Sequence, residues 1–161
     1  MASKHNRMKK HIFLGAALLL IMIQLSAQTP VYLTKAYKPV ESELYDAYSS
    51  HEIQGGDTWN NCFVLSVINN YCGRAVFKLG GKYETISFIM GPDKGHGKYD
   101  PNIVQIHADG KRIFEHVVRD SDLAEHFTLN ISGVDKLEFS LLRPEVEVAF
   151  CEVALWTKGQ T

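Results

Sequence analysis

The residues best equipped for chemistry in this 161-residue chain are scattered rather than grouped. Five histidines lie beyond residue 27, at positions 51, 96, 107, 116 and 126. No two of them stand as His-x-His or His-Glu-x-x-His, the spacings that preset metal geometry. No Gly-x-Ser-x-Gly elbow is present to expose a serine nucleophile. Glu145 and Glu147 alternate with Val146 and Val148, so both carboxylates share one face of a strand, where a solvated role accounts for them without acid–base work. The stretch Gly91-Pro92-Asp93-Lys94-Gly95-His96-Gly97 is glycine-rich, yet Pro92 stands where a phosphate-binding loop needs its first glycine, and Tyr99 follows Lys98. We read it as a surface loop. The sequence predicts no catalytic residue and no enzyme. It calls for no cofactor, does not support a calcium site, and leaves metal ligands unknown.

What remains is aromatic and amide chemistry. Trp59 sits in Gly55-Gly56-Asp57-Thr58-Trp59-Asn60-Asn61, a polar run ahead of the first clear strand. A flat aromatic ring stacks on the apolar face of a sugar while neighbouring amides and carboxylates bond its hydroxyls. Trp59, Asn60 and Asn61, with Asp93, His96, Tyr99 and Asp100 from the glycine-rich loop, form the candidate carbohydrate-binding set; anchoring in the core is the other reading of Trp59. Trp156 closes the last strand beside Leu155 and reads as a core anchor.

These residues must be positioned by strands. From Phe63 onward apolar residues recur at every second position: Phe63, Leu65, Val67; Ile86, Phe88, Met90; Val104, Ile106, Ala108; Phe127, Leu129, Ile131; Leu137, Phe139, Leu141; and Val146, Val148, Phe150. That period of two belongs to strands with one face buried and one wet. Val76, Phe77 and Leu79 suggest a further strand, and Asp109-Gly110 accepts the positive φ of a type I′ turn, predicting a hairpin over residues 103–118. Glycine-based turns between short strands indicate a sandwich or barrel. Residues 29–50 are less patterned, and residues 41–48 fit a helical turn or a tyrosine-bearing loop.

The N-terminal stretch carries Lys4, Arg7, Lys9 and Lys10, then an apolar run from Ile12 to Ile23 that is shorter than the roughly 20 residues a bilayer-spanning helix needs, then Leu25-Ser26-Ala27. This predicts a signal peptide over residues 1–27, cleaved near Ala27, and an exported protein that is periplasmic, at the cell surface or extracellular. The expected organisation is a single domain over 28–157 with a short tail at 158–161. Without the leader, 13 Lys and Arg face 18 Asp and Glu, a formal charge of −5. Nucleic acid and anionic membranes, which need clustered basic residues, are excluded as partners. Export permits a disulfide, but Cys62, Cys72 and Cys151 cannot all pair within one chain and form no Cys-x-x-Cys; we read them as buried, inert thiols.

Several stretches, taken in order, resemble the NPCBM-type carbohydrate-binding module. They are Ile53-Gln54-Gly55-Gly56 with Trp59, residues 75–88 around Leu79-Gly80-Gly81-Lys82-Tyr83, Ala108-Asp109-Gly110-Lys111, and residues 129–137 around Ser132-Gly133-Val134. The resemblance runs roughly from Tyr32 to Trp156. It implies an all-β, antiparallel β-sandwich, a galactose-binding-like jelly roll. It also implies a non-catalytic bacterial module that binds glycan through loops at one edge, near a separate glycoside hydrolase or cell-surface protein. The chain departs from the family pattern at Asn61 and Phe63-Val64-Leu65-Ser66, and from residue 145 to 155; these departures bear on the ligand site more than on the fold. A protein-interaction or structural module of a cell-surface assembly is the alternative on the same fold.

Overall fold

A computed structural model describes residues 29–93 and 100–159; the leader read at 1–27 and most of the glycine-rich loop lie outside the described residues. In chain order the elements are β1 (Val31–Tyr32), α1 (Leu33–Ala36), β2 (Glu41–Glu43), β3 (Tyr45–Glu52), β4 (Thr58–Leu65), β5 (Val67–Ile68), β6 (Tyr71–Cys72), β7 (Arg74–Lys78), β8 (Thr85–Pro92), β9 (Asn102–Ala108), β10 (Lys111–Val118), β11 (Glu125–Asn130), β12 (Lys136–Leu141) and β13 (Val148–Trp156). Among the described residues no helix is long and apolar enough to cross a membrane.

Two antiparallel sheets face each other, as the alternation and the resemblance imply. One has the order β11-β8-β13-β4-β3 with β1 beside β13, and the other β10-β9-β12-β7-β2; β5 and β6 form a separate ribbon. Every second residue points between the sheets. Ile86, Phe88 and Met90 of β8 meet Val104 and Ile106 of β9 and Leu137 and Phe139 of β12 there. Phe63, Phe77, Phe88, Phe139 and Phe150 form the centre, with Phe63 stacked on Phe150 at 4.8 Å and edge-on to Phe139 at 5.2 Å. The predicted hairpin is β9–β10, and its turn residues Asp109 and Gly110 have φ of 50° and 81°, the left-handed pair a type I′ turn demands.

Alternation does not describe the first sheet fully. Ile53, Cys62, Val64, Ile89, Ala149 and Cys151 form a second buried cluster on its outer face, so β4, β8 and β13 are apolar on both sides. The cysteines differ from expectation for the same reason: Cys62 and Cys151 form a disulfide inside this outer cluster, and Cys72 alone is a free, partly buried thiol. Residues 41–48 are strand, not helix or loop. β2 and β3 lie at the edges of their sheets and carry mostly exposed residues, so no apolar face marks them. Val67 leaves β4 after Ser66 to start the β5–β6 ribbon, whose turn is Asn69-Asn70 at φ 49° and 71°.

Candidate functional site

The outer cluster exists because the β3–β4 hairpin folds over its own sheet. β4 pairs with β13 only where Phe63–Leu65 meets Val148–Phe150. At the next register position the Cys62–Cys151 disulfide joins the strands, and immediately beyond it Asn61 and Glu152 turn into left-handed backbone at φ 52° and 48°. Beyond that bend the β4 residues 58–60 pair only with β3. The hairpin tip crosses to β8, where Ile53 bridges Asp93 and the Gln54 amide donates to the Pro92 carbonyl at 3.1 Å. Gly91 makes this crossing feasible, because a Cβ there would lie 2.6 Å from Ile53 Cγ2 and 3.3 Å from Ala124 Cα.

β13 is bulged between Cys151 and Ala154, and past the bulge its free edge takes β1 through Val31↔Leu155 and Tyr32↔Ala154. Along β13 a gap is left between the early residues of β4 and Tyr32, the last residue of β1, and Glu152 fills it. Its carboxylate accepts the Asn60 backbone amide at 3.1 Å and the Asn61 Nδ2 at 3.5 Å. On the far side stands Tyr32, whose phenol is raised above its ordinary value by burial first and then by the neighbouring Glu152 carboxylate. Lys35 Nζ stands over the Tyr32 ring at 5.5 Å.

The result is a groove of about 450 Å³ on the outer face of the sheet. Ser87, Ile89 and Ala154 form its floor, Trp59 and His126 one flank, and Pro30, Tyr32 and Trp156 the other, with Glu152 among its lining residues. The Trp59 and His126 rings meet edge to face at 5.9 Å, which fixes the Trp59 plane. Trp156 Nε1 donates to Ser87 Oγ at 2.9 Å and is thereby held against the floor. Trp59 Nε1 is buried with no partner among the described residues. Two indoles, a phenol and a carboxylate thus face one space: broad apolar rings for stacking, and a charged acceptor for hydroxyl groups.

Of the residues singled out from sequence, Trp59 lines this groove. Asn60 is exposed and contributes its backbone amide, while the Asn61 side chain is buried and turned to Glu152. Asp93 is elsewhere: its Oδ1 is 2.5 Å from His51 Nε2, and the His51 ring lies 4.7 Å from that of Tyr48. Since His51 is the register partner of Trp59, Asp93 latches the folded hairpin rather than lining the groove. Asp100 is exposed ahead of β9. His96 and Tyr99 lie outside the described residues. Trp156, expected in the core, is half-buried and lines the groove instead. Tyr32, His126 and Glu152 were not singled out. The one signal for Glu152 is the change of parity in β13, where inward apolar residues pass from Val148 and Phe150 to Val153 and Leu155. Among the described residues no group of three or more His, Cys, Asp or Glu is placed to hold a metal.

Residues 71–157 match a family model described as the NPCBM/NEW2 domain. No curated protein matches the chain. Among solved structures it is similar to CBM51 from Clostridium perfringens GH95 in complex with methyl-galactose, at 13% identity and a TM-score of 0.63, covering 79% of this chain and 99% of that one. It is also similar to the M60 catalytic domain with CBM51-1 and CBM51-2 from Clostridium perfringens ZmpB, at 16% identity and a TM-score of 0.64, covering 80% of this chain and 15% of that one. The tandem CBM51 modules of Sp3GH98, the family 98 glycoside hydrolase from Streptococcus pneumoniae SP3-BS71, match at 13% identity and a TM-score of 0.61, covering 81% and 47%. At these identities the likeness is one of fold. Ser87, His126, Glu152 and Trp156 fall within the matched residues, whereas Tyr32 and Trp59 precede them.

Proposed function

Because the chain belongs to the NPCBM/NEW2 domain family, we propose that it is an exported, non-catalytic carbohydrate-binding module that holds a saccharide in the groove between Trp59 and Trp156. The observation that carries this reading is the convergence of Trp59, Trp156 and Tyr32 on one open groove around the Glu152 carboxylate. Sugar rings present flat C–H faces to such indoles and hydroxyls to such acceptors. Glycoside cleavage ordinarily uses a pair of carboxyl groups, and Glu152 is the single carboxylate among the described residues lining the groove. Export is supported by the Cys62–Cys151 disulfide, which persists in oxidising compartments. In this reading residues 1–27 are removed, 28–157 form the module, and 158–161 are a tail. The module acts alone or beside a separate hydrolase.

Glycan-array and affinity-gel binding of the wild type, Trp59→Ala and Trp156→Ala tests the proposal. We expect the wild type to retain a glycan and each variant to lose about tenfold or more in affinity, as removal of a stacked aromatic does. A wild type that retains no glycan overturns it.

A second reading, a protein-interaction module of a cell-surface assembly, is favoured by one observation. Ile68 and Tyr71 of the β5–β6 ribbon are 52% and 69% exposed beside Glu43 and Leu44, around a cleft of about 340 Å³. Capture of a single stoichiometric envelope protein, abolished by Tyr71→Ser and unaffected by Trp156→Ala, separates this reading from the first.

A further inference from the structure

Among the described residues that line the groove, Glu152 is the one carboxylate, and no Lys or Arg stands with it. The groups that hold it are both neutral, the Asn60 backbone amide and the Asn61 side-chain amide, and the Tyr32 phenol stands on its other side. A carboxylate offers about four lone-pair sites. The two donors orient it and leave acceptor capacity, while no Lys or Arg is paired with it among the described residues. The nearest basic group on this flank, Lys35, is exposed and lies over the ring of Tyr32. His126 faces the space from β11, its ring edge to face against Trp59.

We infer that the groove selects sugars by charge: it takes an uncharged hexose unit whose hydroxyl donates to Glu152, and it turns away the same unit when a carboxylate replaces the C6 hydroxymethyl. The inference rests on the carbohydrate reading above and names the ligand class that reading leaves open. A sugar hydroxyl supplies the missing donor to the carboxylate, whereas a uronic acid brings a second negative charge and no new donor. Repulsion between two unit charges several ångströms apart in a partly solvated groove amounts to roughly a tenfold difference in affinity.

The test is an array of neutral oligosaccharides printed beside their C6-oxidised counterparts, read at low and at high salt. At about 20 mM salt the wild type should retain the neutral member of each recognised pair about tenfold better, and the gap should shrink at about 500 mM salt as the charges are screened. In Glu152→Gln, which keeps an acceptor oxygen and the side-chain shape, the gap should close to within about twofold. Equal retention of neutral and oxidised glycans by the wild type overturns the charge selection but leaves carbohydrate binding standing. Retention of no glycan overturns both. Should Glu152→Gln fail to fold, the wild-type salt series decides alone: a gap indifferent to salt is not electrostatic, and the inference is lost.

Discussion

Asn61 and Glu152 face one another across the bend of the sheet, both in left-handed backbone, each bonded in sequence to one half of the same disulfide, with the amide of one donating to the carboxylate of the other. This pair marks where the β3–β4 hairpin leaves the sheet, and so decides where Trp59 stands. The two residues bear the backbone strain unequally. Asn accommodates positive φ through its short polar side chain, while Glu at φ 48° is disfavoured by about 1–2 kcal/mol. Asn61→Gly, which keeps the backbone relaxed but loses the buried amide and its hydrogen bond to Glu152, should cost about 1 kcal/mol. Glu152→Ala keeps the strain and discards the hydrogen bonds, costing about 1–3 kcal/mol, and Glu152→Gly should recover about 1 kcal/mol of that loss. Urea unfolding of the three variants checks the order.

The disulfide closes a loop of 89 residues and holds the strands together at that bend. Cys62→Ser with Cys151→Ser, or reduction of the wild type, should lower stability by about 2–5 kcal/mol. Binding should suffer as well, because the hairpin that positions Trp59 is released. Denaturant midpoints with and without reductant, paired with affinity gels, measure both effects. Cys72→Ser should change neither, since its thiol lies on the ribbon away from the groove.

Gly91→Ala is the sharpest steric probe of the hairpin. The added methyl would meet Ile53 Cγ2 and the Ala124 backbone, and relief requires the hairpin tip to lift. The expected cost is roughly 1–3 kcal/mol, with a change in Trp59 fluorescence as its contact with His126 is lost. An unchanged emission spectrum and midpoint would show that the tip does not pack on Gly91.

The second sheet carries the acid sensitivity. Arg74 donates from Nε and Nη2 to Glu138, each at 2.9 Å, and from Nη1 to Glu41 at 2.9 Å. The Arg74 hydrogen bonds and, less strongly, its charge hold the Glu138 carboxyl below its ordinary value of 4.5 against the opposing effect of burial. A carboxyl with a depressed folded pKa contributes stability above its unfolded pKa and loses that contribution as pH falls through the folded one. Stability should accordingly decline below about pH 4.5 by an amount on the order of 1 kcal/mol, since Arg74 is more than a third exposed and the pair is screened. Arg74→Met should flatten this limb, as read by urea unfolding between about pH 2 and pH 7.

How far the sequence reveals the groove follows from what kind of signal each residue leaves. Val104, Ile106, Leu137 and Phe139 announce themselves because one wet face beside one buried face yields a period of two. β3 has mostly exposed side chains at a sheet edge, so nothing in its residues separates strand from loop. The pairing of Cys62 with Cys151 depends on the register Phe63↔Phe150, a long-range fact that local pattern does not contain. Trp156 looks like core because Leu155 beside it is core; its outward direction follows from the bulge at Glu152, visible only as the parity change in β13. Asp93 is polar and loop-borne, which suggests ligand contact, but its partner His51 is 42 residues away and engages it in the fold itself.

The antiparallel seat that β1 takes on β13 places Pro30 and Tyr32 on the same rim as Trp156, so the first and last strands of the described chain both border the groove. A fused partner joined directly ahead of Pro30 or just after Trp156 would therefore emerge beside the entrance, where it competes with the guest or blocks the doorway. Immobilisation through either of those strand ends would bury the very opening being assayed, and the attachment point that leaves it clear is the opposite sheet, at the Asp109-Gly110 turn.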